Sequence, residues 1–93
     1  MADSTSVRHE PENHRFVLDA GADVAVAEYR LEDKLMILTH TWVPPEARGQ
    51  GAAARLIEAA LAYARGEQKK IVPQCSYVEM YLRRHPEQED LRA

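Results

Sequence analysis

The sequence predicts a mixed α+β domain with the element order β-β-β-α-β-α and a mostly antiparallel sheet. Two observations carry this reading. Three runs rich in apolar and β-branched residues lie ahead of Pro44-Pro45, separated by turn signals. Behind the prolines, Ala53, Leu56, Ile57, Ala60, Leu61 and Ala64 recur at helical spacing as one apolar stripe.

The elements follow in order. Residues 1–13 are rich in Ser, Asp, Glu and Pro and read as a flexible tail with too few apolar groups to offset ordering entropy, so the domain spans 14–93. Arg15-Phe16-Val17-Leu18 is a short strand closed by Asp19-Ala20-Gly21, a turn signal. Residues 23–31 form a second strand, and Glu32-Asp33 suggests a tight hairpin to the strongest strand, residues 34–43. That strand is apolar on both parities, so cover is expected on both faces. Pro44-Pro45 ends it, because proline cannot donate to a ladder. The helix over 51–65 is expected to stop at Gly66 as its C′ residue. A short strand at 69–72 ends at Pro73, and the crossover through the helix implies that it runs parallel to 34–43. Ser76-x-x-Glu79 has capping-box spacing for a second helix over 77–84, which Pro86 stops by disfavouring helical geometry at His85.

Composition bounds the function. At 93 residues the chain is one domain, able to bury only about 60–65% of its unfolded surface. A formal net charge of -3 gives no global reason to expect nucleic acid or an anionic membrane as partner. The single cysteine, Cys75, excludes an internal disulfide, residues 1–12 carry no apolar signal segment, and no apolar run approaches the ~18 residues of a membrane span. A cytoplasmic protein, as monomer or weak homodimer, is the expectation.

The chemistry concentrates where the long strand passes through a glycine-rich turn into the helix. The first N–H groups of a helix lack internal partners and the helix dipole adds partial positive charge there, so such an end attracts phosphate. Gly49 and Gly51 let backbone approach a ligand, Ala52 and Ala53 keep the approach open, and Arg48 adds a cation. A plain strand-to-helix turn uses glycines too. The segment is not a Walker loop, since no Lys-Ser/Thr follows Gly51, and Ala54 breaks G-x-G-x-x-G.

Arg48-x-x-Gly51-x-Ala53 resembles the (Gln/Arg)-x-x-Gly-x-(Gly/Ala) acetyl-CoA motif of the GNAT superfamily. The fuller set is His40-Thr41-x-Val43-Pro44-Pro45, Arg48 to Ala53, Pro73-x-Cys75-Ser76-Tyr77-Val78 and Arg84-His85-Pro86. It is similar to small single-domain GNAT-like N-acetyltransferases of the YjdJ or CG type, over roughly residues 16–91. The resemblance implies a minimal GNAT-like acyl-CoA N-acyltransferase fold, in which the strands before and after the motif helix splay apart. Acetyl-CoA or coenzyme A would then lie in the V. Backbone of Trp42 and Val43 would meet the pantetheine, and Arg48, Gly49, Gln50, Gly51, Ala52 and Ala53 the diphosphate. Ordinary members carry a helix pair between the first two strands, where this chain has only Asp19-Ala20-Gly21, so the half that shapes the acceptor site is largely missing.

Three residues are candidate catalysts. Cys75, at the start of the second helix, is placed for a stabilised thiolate that accepts the acyl group or lines its pocket; an inert half-buried thiol is the alternative. Histidine suits proton removal from an ammonium near neutral pH, which makes His40 a general base or, alternatively, a hydrogen-bonded core residue. Tyr81-x-x-x-His85-Pro86 resembles the helix whose tyrosine protonates the leaving thiolate in larger relatives; Tyr81 and Tyr77 serve equally as packing residues, and Tyr77 is also a cofactor candidate. No residue spacing suggests zinc. The expected activity is acetyl transfer from acyl-CoA to an unidentified amine, with a non-catalytic acyl-CoA-binding module or adaptor as the alternative.

Overall fold

The computed structural model describes residues 7–93. Its elements are β1 (Arg8–Glu10), β2 (Arg15–Ala20), β3 (Asp23–Glu32), β4 (Leu35–Trp42), α1 (Ala52–Gly66), β5 (Lys70–Pro73) and α2 (Ser76–Arg84), with 3-10 segments at Pro11–Asn13, Pro45–Ala47 and Pro86–Leu91. The sheet has five strands in chain order, β1-β2-β3-β4-β5. The first three pairings are antiparallel and β4–β5 is parallel. Ala20 pairs with Asp23 and Glu32 with Leu35, so both hairpins turn in two residues. Gly21 at φ 76° and Asp33 at φ 54° take the left-handed conformations such turns need.

One core lies between sheet and helices. Phe16, Leu18, Ala27, Tyr29, Met36, Leu38 and Ile71 meet the α1 stripe of Leu56, Ile57, Ala60, Leu61 and Ala64, and Val78 and Leu82 of α2 join the same cluster. Leu56, Ile57 and Leu61 are at most 1% exposed, and burial of each such side chain stabilises by about 1.5–3 kcal/mol. The opposite parity is also buried at Val17, Val26 and Ile37, yet none of these belongs to the cluster the helices pack into. The cover expected on both faces of β4 is therefore helical on one face only.

Four details differ from the sequence expectation. Residues 1–6 of the expected tail lie outside the described residues, but 8–10 form β1, paired Arg8↔Val17, His9↔Phe16 and Glu10↔Arg15. An aromatic clamp holds it. The His9 ring stacks on Phe16 with centroids 4.2 Å apart, meets Tyr63 edge-on at 4.5 Å and hydrogen-bonds the Tyr29 hydroxyl through Nε2. The capping box does not form. Ser76 is already helical, Cys75 is the N-cap without a side-chain bond, and Glu79 is drawn to the Arg83 and Arg92 guanidiniums. Gly66 lies inside α1, and Gln68 at φ 57° takes the left-handed position beyond it. Finally, the residues after α2 return to the sheet: Leu91 is buried in the core, and the Ala93 N–H donates to the Ile71 carbonyl at 2.8 Å.

Candidate active site

The site begins where β4 outruns β5. Their pairing stops at Leu38↔Pro73. Proline has no N–H to continue the ladder, and the Gln74 N–H turns back to the Val72 carbonyl at 3.0 Å. The Cys75 N–H then donates to the Leu38 carbonyl at 3.0 Å. Beyond that bond, residues 39–42 pair only with β3. β4 also carries a bulge. Tyr29 faces Leu38 and Glu28 faces His40, so Thr39 is an extra residue, and its hydroxyl donates to the Glu28 carbonyl at 3.3 Å. A bulge bends its strand and shifts the side chains beyond it by one parity.

The result is a cleft of about 540 Å³ between the end of β4 and the start of α1, lined by Thr41, Trp42, Val43, Ala47, Arg48, Gly49, Gly51, Ala52, Ala53 and Tyr77. Its size is that of a small-molecule site. Gly49 at φ 84° and Gly51 at φ 83° are left-handed, and a Cβ on either would meet nothing within 4 Å. The glycines answer a backbone requirement, and the space before them is open. No side chain caps α1, and Arg55, donating to the Gly51 carbonyl at 3.1 Å, closes its first helical bond. The preceding amides of the helix are therefore without intrahelical partners. Arg48 folds back within the turn, its Nε donating to the Val43 carbonyl at 3.0 Å.

Most of the residues singled out from the sequence come together here, but four do not line the cleft. Gln50 faces a second hollow of about 350 Å³ with Asp19, Glu46 and Arg55. Tyr81 sits in a recess of about 200 Å³ between α1 and α2, shared with Tyr77, Met80, Arg84 and His85. There its hydroxyl donates to Glu58 at 3.2 Å and its ring stacks on His85 at 3.9 Å. Burial, reinforced by the Glu58 carboxylate, pushes the Tyr81 phenol up to about 12. His40 is exposed and, by its pairing with Glu28, lies on the sheet face away from the helices. Cys75 sits at the vertex of the splay, where its thiol donates to Thr41 Oγ1 at 3.6 Å. Burial alone would raise this thiol; hydrogen bonds from Thr41 and from the Tyr77 and Val78 amides outweigh it, leaving the thiol below the ordinary cysteine range. Thr41 and Ala47 were missed from the sequence. Only the bulge turns Thr41 toward the cleft, and no pattern marks a bulge.

Among the described residues, no helix is long and apolar enough to cross a membrane, and no group of three or more His, Cys, Asp or Glu is arranged for a metal ion.

Comparison with known proteins agrees with this geometry. The solution structure of a GCN5-like protein from Staphylococcus aureus superposes with a TM-score of 0.78 at 22% identity, covering 99% of this chain and 91% of that one. Protein NATD1 of Gallus gallus is 34% identical over 83 residues, 86% of this chain and 76% of the relative. Protein NATD1 of Homo sapiens is 34% identical over the same length, 74% of that protein. Residues 15–91 match the family model described as GCN5-related N-acetyl-transferase. With that match spanning the splayed strands, the glycine turn and both helices, the chain belongs to the GCN5-related N-acetyl-transferase family.

Proposed function

We propose that the protein binds acetyl-CoA in the 540 Å³ cleft and transfers the acetyl group to a primary amine. The observation that carries this reading is the splay itself: a strand edge without a partner beyond Leu38 opens beside the uncapped start of α1. The residues present fit the cofactor. Amides from Gly49 to Ala53 suit a diphosphate, since they carry partial positive charge and no Cβ stands before the two glycines. The free edge of residues 39–42 offers N–H and C=O groups to an amide-bearing arm. When bound, acetyl-CoA supplies an activated thioester acyl group.

Two routes use the chain's own groups. In direct transfer, the amine attacks the acyl carbon, the C–S bond breaks, and His40 takes the proton from the attacking nitrogen. In the covalent route, the Cys75 thiolate takes the acyl group as the C–S bond of the donor breaks, and the amine then displaces Cys75. The lowered thiol of Cys75 supports the second route. Separation of the Tyr81 hydroxyl into its own recess argues against its delivering a proton to the leaving thiolate. The same separation favours, as a second reading, a domain that holds acyl-CoA and turns over slowly.

The test is thermal unfolding with acetyl-CoA, CoA or ATP, followed by intact mass after incubation with acetyl-CoA. A ligand at a hundredfold excess over its Kd stabilises the native state by about 2.7 kcal/mol. Stabilisation by both CoA species and not by ATP supports the cleft, and acetyl found on Cys75 and lost in Cys75→Ala supports the covalent route. Absence of any CoA-dependent shift overturns the reading.

A further inference from the structure

We infer that the hollow of about 350 Å³ on the other side of the glycine turn is an effector site for a free aliphatic α-amino acid, with Glu46 holding its ammonium and Arg55 its carboxylate. The site stands on its own geometry, and only its influence on the cleft rests on the cleft being the acyl-CoA site.

Between the β2–β3 hairpin and the start of α1, the hollow has an apolar floor of mostly small side chains. Leu18 is 1% exposed there, and Ala20, Ala47 and Ala52 are 9%, 8% and 7% exposed. Such a floor stays recessed and favours a short hydrocarbon group. The rim is charged. Asp19 is already engaged, because Arg8 Nη1 donates to its carboxylate at 3.1 Å. Glu46 and Arg55 are exposed, and neither makes an ion pair among the described residues. They line the same hollow yet do not pair with each other. An α-amino acid carries its ammonium beside its carboxylate, so one small molecule bridges both. A simple cation or anion engages only one of the two charges, and a neutral ligand engages neither as an ion pair. Gln50, on the same rim, adds an amide that can donate or accept.

Position makes this ligand an effector and not the group that is acetylated. The hollow shares no residue with the vertex of the splay at Leu38, Thr41 and Cys75. It does share Ala47 and Ala52 with the cleft. The segment from Glu46 to Ala52 therefore has a hollow on each side, with Glu46 and Gln50 turned to one and Gly49 and Gly51 to the other. A ligand that fixes this segment from one side leaves less of it to be ordered by a diphosphate on the other. The two ligands then favour each other, and by linkage each strengthens the other to the same degree.

The experiment titrates the isotope-labelled full chain with L-leucine and follows the amide signals of Gly21, Ala47 and Gln50. Leucinamide, which lacks the carboxylate, and N-acetyl-leucine, which lacks the ammonium, are each expected to bind about fivefold more weakly. Glu46→Gln should remove the advantage of leucine over N-acetyl-leucine, and Arg55→Gln its advantage over leucinamide. No shift of these signals by leucine up to about 20 mM overturns the site, as do equal affinities for all three compounds in the wild type, a comparison that needs no variant to fold. Saturating leucine is expected to tighten acetyl-CoA binding about fivefold, and an unchanged acetyl-CoA affinity overturns the effector role. Absence of any acetyl-CoA binding overturns the cofactor reading and with it the effector role, while the leucine titration still decides the site.

Discussion

The Cys75 N–H donates to the Leu38 carbonyl at 3.0 Å, and this bond is the last backbone-to-backbone tie between β4 and the chain leaving β5. It fixes the vertex of the splay and holds the Cys75 sulfur 3.6 Å from the Thr41 hydroxyl. The placement predicts a reactive thiol. Iodoacetamide labelling should show a midpoint below the cysteine reference of 9.0. Thr41→Val should move that midpoint upward, because a hydrogen bond to the thiolate is lost while burial remains. A midpoint that does not respond to Thr41→Val would show that the backbone amides of Thr41, Tyr77 and Val78 account for the shift without the hydroxyl.

Gly51 joins β4's loop to α1 in a conformation that non-glycine residues reach only with strain. Gly51→Ala should cost about 1–2 kcal/mol of stability, with no steric contribution because nothing lies within 4 Å of the added Cβ. Gly51→Asp adds like charge where the diphosphate is proposed to sit. It should abolish the CoA-dependent rise in unfolding midpoint, and an undiminished rise would remove the diphosphate from this turn.

β1 depends on His9. Burial lowers the His9 imidazole below 6.5, with Glu12 opposing. A histidine whose folded-state pKa is depressed favours folding while neutral. Its contribution is whole above the unfolded value of 6.5 and is lost as pH falls from there toward the folded value. Chemical denaturation between pH 7.5 and 5 should show this loss in the wild type, and it should be absent in His9→Phe. His9→Ala should also expose the amides of β1 to hydrogen exchange ahead of those of β3.

Leu91, 4% exposed, brings the segment after α2 into the core. Leu91→Ala should cost about 2–4 kcal/mol in urea titration, a large share of the roughly 5–15 kcal/mol that holds a domain of this size. A cost below about 0.5 kcal/mol would mean that this segment packs without supporting the fold.

What the sequence made legible, and what it did not, follows from how far each signal reaches. The α1 stripe from Ala53 to Ala64 is buried as its spacing implies, and both hairpins form beside their turn signals, although Asp19, Ala20 and Glu32 belong to the strands and the turns fall at Gly21-Ala22 and Asp33-Lys34; these are local patterns. The glycine turn lines the cleft, since backbone conformation is written in Gly49 and Gly51 themselves. Three features depended on distant partners. Glu79 has capping-box spacing, but Arg92, thirteen positions on, takes its carboxylate. His9 sits in a polar stretch, and only the folded neighbours Phe16, Tyr29 and Tyr63 make it a clamp. The face taken by His40 is set by an unmatched Thr39, visible only when β3 is laid beside β4.

The return of Arg92 and Ala93 alongside Ile71 has a consequence for behaviour at high concentration. An open strand margin invites foreign chains to add to it. Here the β5 margin is already occupied at Ile71, and β1 at the other margin is three residues long and carries Arg8 and Glu10. Sheet extension is therefore disfavoured at β1 and β5, which leaves the unpaired edge of residues 39–42 as the place where a foreign strand can add.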